Sequence, residues 1–238
     1  MTADDDENGR WPAVARDYRV VLLTITSGAV NAVSFLVLGK VFSSVVTGNL
    51  VLLGVAATSH APSEAVHASV AIAGYAAGIL IGAPLAARHS SRAGTWPVSV
   101  TAALGVELVV LAGFCVGWEV SRGGPSHGVQ LTLLIVLAAA MGMQSAAVRR
   151  LGQMSSTYLT STLLGVLAGL VTPGRTDSLG RSIGALVAIV VGALAGGILA
   201  ESARAWLPVA VLLPLAVVVA GSAVAARHDR RSDRPEGA

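Results

Sequence analysis

The sequence predicts an all-α polytopic membrane bundle, with six spans, two re-entrant or half-helix segments and an internal inverted repeat; the alternative is eight plain spans. Three observations lead there. The chain is 54% hydrophobic and only 12% charged over 238 residues, with a mean hydropathy of +0.73, too apolar for an ordinary soluble domain. Its apolar residues fall into eight stretches near the roughly 20 residues that cross about 30 Å of hydrocarbon. Two shorter stretches begin with clustered Ser, Thr and Asn, which hydrocarbon cannot hydrogen-bond and which therefore face protein or a water-lined cavity.

The eight stretches are residues 20–38, 41–58, 66–87, 96–118, 129–148, 154–172, 182–203 and 205–226, joined by short turns such as His60-Ala61-Pro62 and Thr172-Pro173-Gly174. Residues 1–19 form a polar cytoplasmic tail, 20–226 one transmembrane domain and 227–238 a basic, disordered cytoplasmic tail. The N-terminal tail has no short apolar region with a small-residue cleavage site, so no removable signal peptide is expected.

Loop charge decides between the two topologies. If the second and sixth stretches dip in and return, 13 Lys and Arg lie inside and three (Lys40, Arg122, Arg204) outside; eight full spans give 10 inside and six outside. The positive-inside rule favours the first arrangement, with both termini cytoplasmic in a cell (inner or plasma) membrane.

The halves, about 20–118 and 129–226, resemble each other. Gly28-x-x-Asn31-Ala32 recurs 114 positions on as Gly142-x-x-Ser145-Ala146, and Thr47-Gly48-Asn49 recurs 113 on as Thr160-Ser161-Thr162. Gly74, Gly78 and Gly82 map at 114 onto Ala188, Gly192 and Gly196, and Trp96-Pro97-Val98 is echoed by Trp206-Leu207-Pro208-Val209. Three spans per half force the second copy to be inverted, an arrangement common among transporters.

The pI of about 9.6 does not point to nucleic acid, because the basic residues sit between apolar runs rather than on one face. The single cysteine, Cys115, excludes an internal disulfide. The five His lie at or beyond segment ends, and no metal constellation, Walker loop or Gly-x-Ser-x-Gly motif occurs, so no metal, cofactor or enzymatic activity is expected.

The Gly-x-x-Asn-Ala of the first span, Phe42-Ser43-Ser44 followed by Thr47-Gly48-Asn49, and Met141-Gly142-Met143-Gln144-Ser145-Ala146-Ala147-Val148-Arg149-Arg150 together resemble the YoaK family of bacterial inner-membrane proteins, over about residues 20–225. That family carries a domain of unknown function, so the resemblance implies a membrane protein and no chemistry. Its pattern usually has Asp where this chain has Asn31, and Asn where it has Ser145.

Two polar centres are expected to carry function. Thr47, Gly48 and Asn49 start a half-helix whose free N–H groups and positive dipole end favour anions, with Thr47 or Ser44 as its cap. Thr160, Ser161 and Thr162 do the same in the second half. Ser27, Asn31 and Ser34 share a face of the first helix, and Gln144 and Ser145 occupy the equivalent place. The competing explanation for all of them is interhelical hydrogen bonding. Glu107, the only acidic residue deep in an apolar run, either couples protons or is a buried structural carboxyl. The small-residue stripes, Gly74 to Gly82 and Gly184 to Ala200, serve helix packing. The expected function is a secondary transporter or permease for a small solute, anions being favoured by the half-helix starts; the alternative is a scaffold or partner-binding subunit. The lipid bilayer is the expected surrounding.

Overall fold

The computed structural model describes residues 3–87, 96–151, 163–167 and 179–232. Seven main helices are described: α1 (Ala3–Val37), α2 (Val46–Thr58), α3 (Pro62–Ala87), α4 (Val98–Val120), α5 (His127–Arg150), α6 (Leu179–Ser202) and α7 (Leu207–Ser232). A further helical piece covers residues 163–167, and no strand occurs among the described residues. Six segments are long and apolar enough to cross a membrane: Asp17–Val37, Pro62–Ala87, Val98–Val120, His127–Arg150, Ser182–Ser202 and Arg204–Ala226. The protein is an integral membrane protein, and its spans begin and end within a few residues of the positions expected from the apolar pattern. At the C-terminus the helix runs on to Ser232, through residues that composition assigns to a disordered tail.

Contacts between helix ends fix the order of the spans. Arg19 lies over the Trp96 ring at 4.9 Å, and Arg150 at the end of α5 donates to the carbonyls of Ala86 and Ala87 at the end of α3. These residues share one side, called here the terminal side. On the opposite side Trp118 Nε1 donates to the Arg204 carbonyl (3.1 Å) and Gln130 Nε2 to the Val37 carbonyl (2.7 Å). The chain therefore crosses upward in α1, α4 and α6 and downward in α3, α5 and α7.

Two parallel helix pairs form the tightest contacts, α3 with α5 and α1 with α6. Glycines make them possible, because a Cβ at the crossing would strike backbone. At Gly28 it would meet Ile189 and Ala193; at Gly142, Tyr75 and Ile79. Gly192 abuts Ile25 and Gly78 abuts Ala139, while Gly196 abuts Ala29 and Gly82 abuts Met143. Each residue in one contact lies 114 positions (142 minus 28) from its counterpart in the other, with the direction of the shift reversed between partners. Gly184, which the sequence places in the same stripe, has nothing within 4 Å.

Candidate functional site: a hairpin that re-enters the membrane

α1 ends in a turn that reverses the chain. Gly39 adopts φ 115° and Lys40 φ 58°, and the Lys40 N–H bonds back to the Phe35 carbonyl at 3.1 Å, the six-residue closure of a Schellman end. Glycine is required twice over at position 39: the left-handed φ disfavours other residues, and a Cβ would enter the His67 ring. From Val41 the chain then descends along α1, with Phe42 stacked on Phe35 (centroids 5.1 Å apart).

The descent reaches the middle of the membrane. Ser44 meets Asn31 and Ser27, and Ser27 lies ten residues below Val37, or about 15 Å of helix, half the hydrocarbon thickness. α2 starts there and returns to the opposite side: its 13 residues span only about 20 Å, too short to cross. The second stretch, apolar from residue 41 and expected to start its half-helix at Thr47, is thus irregular from Val41 to Val45 and helical from Val46, one residue earlier.

Asn31 organises the tip. Its Oδ1 accepts from the Ser44 N–H (3.1 Å) and the Ser43 hydroxyl (3.2 Å), and its Nδ2 donates to Ser44 Oγ (2.7 Å) and the Ser27 carbonyl (2.9 Å). Ser34 Oγ accepts the Ser43 N–H at 3.1 Å. All of these residues are buried. A second clamp closes the hairpin on itself: Asn49 Oδ1 accepts from the Phe42 N–H (2.9 Å), and its Nδ2 donates to the Phe42 carbonyl (2.6 Å). Asn49 replaces the backbone partner that the descending strand lacks.

With both amides engaged, the backbone N–H groups without a helical partner lie in the first turn of α2. The first helical bond runs from the Asn49 N–H to the Val45 carbonyl, so the N–H groups of Val46, Thr47 and Gly48 precede the helical ladder. Val45 occupies the cap position and no side chain caps the helix; Ser44, an expected cap, has its oxygen taken by Asn31. Thr47 is exposed and Gly48 half-buried. A Cβ on Gly48 would meet Val45 at 3.3 Å and the Phe42 ring at 3.4 Å, so any side chain there would press against the hairpin's own side chains.

The second-half candidates are partly placed. Gln144 is buried and donates from Nε2 to the Leu23 carbonyl of α1 (3.0 Å); Ser145 Oγ accepts the Tyr75 hydroxyl at 2.8 Å. Thr160, Ser161 and Thr162 lie outside the described residues. The central helices α1 and α5 are thus joined by two glutamines, Gln144 near the terminal side and Gln130 at the other. Glu107 is apart from the hairpin, on the buried face of α4, which packs on α5, α7 and α3. Sequence reasoning passed over Tyr75 and Gln130. Their signal is a lone phenol within a small-residue stripe and a lone amide in the first turn of a span.

Comparison with known proteins supports a transmembrane protein. The family described as "Protein of unknown function (DUF1275)" matches over residues 20–223. A relative named "UPF0700 transmembrane protein YoaK", from Bacillus subtilis (strain 168), is 32% identical over 157 residues, covering 65% of this chain and 67% of the relative. No solved structure matches.

Proposed function

Since the chain belongs to the DUF1275 family of transmembrane proteins, its activity has to be argued from the site, and we propose that it is a secondary transporter or permease for a small solute, with anions the best-matched class. One observation carries this reading. The glycine contacts of α1 with α6 and of α3 with α5 interconvert when 114 is added on one side and subtracted on the other. Two copies of a three-span unit, the second inverted and each lending a helix to the other, produce that exchange. Unrelated helices have no reason to keep the offset at Gly28, Gly78 and Gly82 alike. In such a repeat the half-helices meet near the midplane, where α2 starts, and the two halves rock around that point to give access from each side in turn.

The anion preference follows from the free N–H groups of Val46, Thr47 and Gly48 and the positive end of the α2 dipole, both in a low-dielectric setting. The charge pattern orients the protein with both termini in the cytoplasm of a bacterial cell, in its inner membrane. The engagement of Asn31 and Asn49 within the hairpin favours a second reading for those two residues, as structural supports rather than ligand contacts.

A flux screen tests the proposal. Purified protein in proteoliposomes is expected to carry at least one small anion faster than protein-free vesicles, and Gly48→Val, which crowds the half-helix start, to reduce that flux without loss of insertion. Flux indistinguishable from empty vesicles across inorganic and carboxylate anions and neutral solutes would leave the scaffold alternative standing.

A further inference from the structure

Four residues carry buried side-chain polar atoms with no hydrogen-bond partner among the described residues: His67, Ser99, Glu107 and Ser222. Three of them lie on α4 and α7, which pack against each other. The Trp118–Arg204 bond sets the two helices in register at the opposite side. Descending 19 residues on α4 from Trp118 reaches Ser99, and 18 along the last span from Arg204 reaches Ser222 on α7, so both hydroxyls come to about the same depth near the terminal side. Glu107 stands eight residues, or about 12 Å, further into the membrane than Ser99. Its side chain is 0% exposed.

Among the described residues, nothing around Glu107 balances a charge. The segments packed on α4 are free of charged residues across the membrane: α5 from Gly128 to Val148 and α7 from Leu207 to Ala226 hold no titratable group, and α3 from Ala68 to Ala87 offers only the Tyr75 phenol. On α4 itself the nearest titratable groups are Cys115, two turns above, and Glu119. An ionised carboxylate without a partner is the costliest group a bilayer interior can hold. Packing does not ask for a carboxyl here. In the correspondence of the two halves (a shift of 111, 211 minus 100) Val100, Leu104 and Leu111 answer to Val211, Leu215 and Ser222, and Glu107 answers to Val218, and all of these positions are buried.

We propose that Glu107 is a proton-binding site within the membrane, a neutral carboxyl that exchanges its proton with the terminal side along the α4–α7 seam, through water held by the hydroxyls of Ser99 and Ser222. The site stands independently of solute transport.

Infrared difference spectra of the protein in lipid nanodiscs test it. The wild type minus Glu107→Gln difference at neutral pH should contain the carbonyl stretch of one protonated carboxylic acid. Transfer to D2O should shift that band, and Ser99→Ala combined with Ser222→Ala should slow the shift severalfold. Glu107→Val, which copies the second half, serves as the folded control should the glutamine variant be unstable. Absence of the band, or a band that stays unshifted while exposed amides exchange, overturns the proton site. A shift as fast in the double serine variant as in wild type overturns the seam as its route. A negative flux screen leaves each of these outcomes untouched, so the two proposals fail separately.

Discussion

Asn31 and Asn49 support the hairpin by different means, and their substitutions separate the two. Asn49 satisfies both backbone groups of Phe42, and no other side chain bonds to that strand residue among the described residues. Asn49→Ala leaves a part-buried N–H and C=O unpaired, at up to about 1 kcal/mol for each group; thermal unfolding of the detergent-solubilised protein should show a drop in midpoint. Asn49→Asp should lower it at least as far, because a carboxylate accepts from the N–H but faces the carbonyl without a donor. At Asn31 the outcome differs. Asn31→Asp keeps both bonds to Oδ1 and lets the Ser44 hydroxyl turn from acceptor to donor, but sets its second oxygen against the Ser27 carbonyl, so the hairpin should be weakened, though less than by Asn31→Leu, which loses all four bonds. Retention of wild-type unfolding in Asn31→Leu would show that the serine hydroxyls suffice. The shared face of Ser27, Asn31 and Ser34 was legible from spacings of four and three. Their partners were not: a side chain at mid-membrane finds the nearest free backbone group, and only the fold says that this belongs to Ser43 and Ser44.

At the scale of the element, the glycine crossings make equal and opposite claims on the helices. Gly78→Val and Gly192→Val should each separate a helix pair, at a cost of about 1–3 kcal/mol or more from overpacking, with similar falls in unfolding midpoint because the two contacts are counterparts. Gly105→Val and Gly184→Val place the same side chain where nothing lies within 4 Å, and should leave the midpoint near that of wild type. Composition revealed the stripes and not their limits, since Gly184 and Gly192 are alike in sequence and only one meets a neighbour. The start of α2 fell at Val46, within one residue of the expected Thr47. Val41 to Val45, which carries two serines, is held irregular ahead of it by hydrogen bonds to Asn49, Ser34 and Asn31 from seven to thirteen residues away.

For the whole molecule, the six-span layout puts Ser59 and Ser121 on one side, and the ends of α3 and α5 and the start of α6 on the other. In a Cys115→Ala background, single cysteines at Ser90, Gly152 and Thr176 should react with an impermeant maleimide only from the cytoplasm, and those at Ser59 and Ser121 only from outside. Labelling of Ser59 from the cytoplasm would contradict the proposed orientation. Much of this architecture was legible in hydropathy, because lipid imposes length and polarity on each span directly. The sequence also hinted at duplication through matches such as Gly28 with Gly142. What it withheld was the exchange of partners, since a pairwise contact between residues 25 and 192 leaves no local mark on either helix.

That exchange also bears on how the protein is made. Ile25 finds Gly192 only after 167 more residues (192 minus 25) have been synthesised, and the glycine face of α3 likewise waits for α5. The first three spans therefore enter the bilayer as an unfinished intermediate, with Gly28 and Gly78 facing lipid that fills their grooves poorly. Severing the Ser121–Ser126 linker should yield two fragments that are each degraded when produced alone and that co-purify when produced together, each completing the fold of the other.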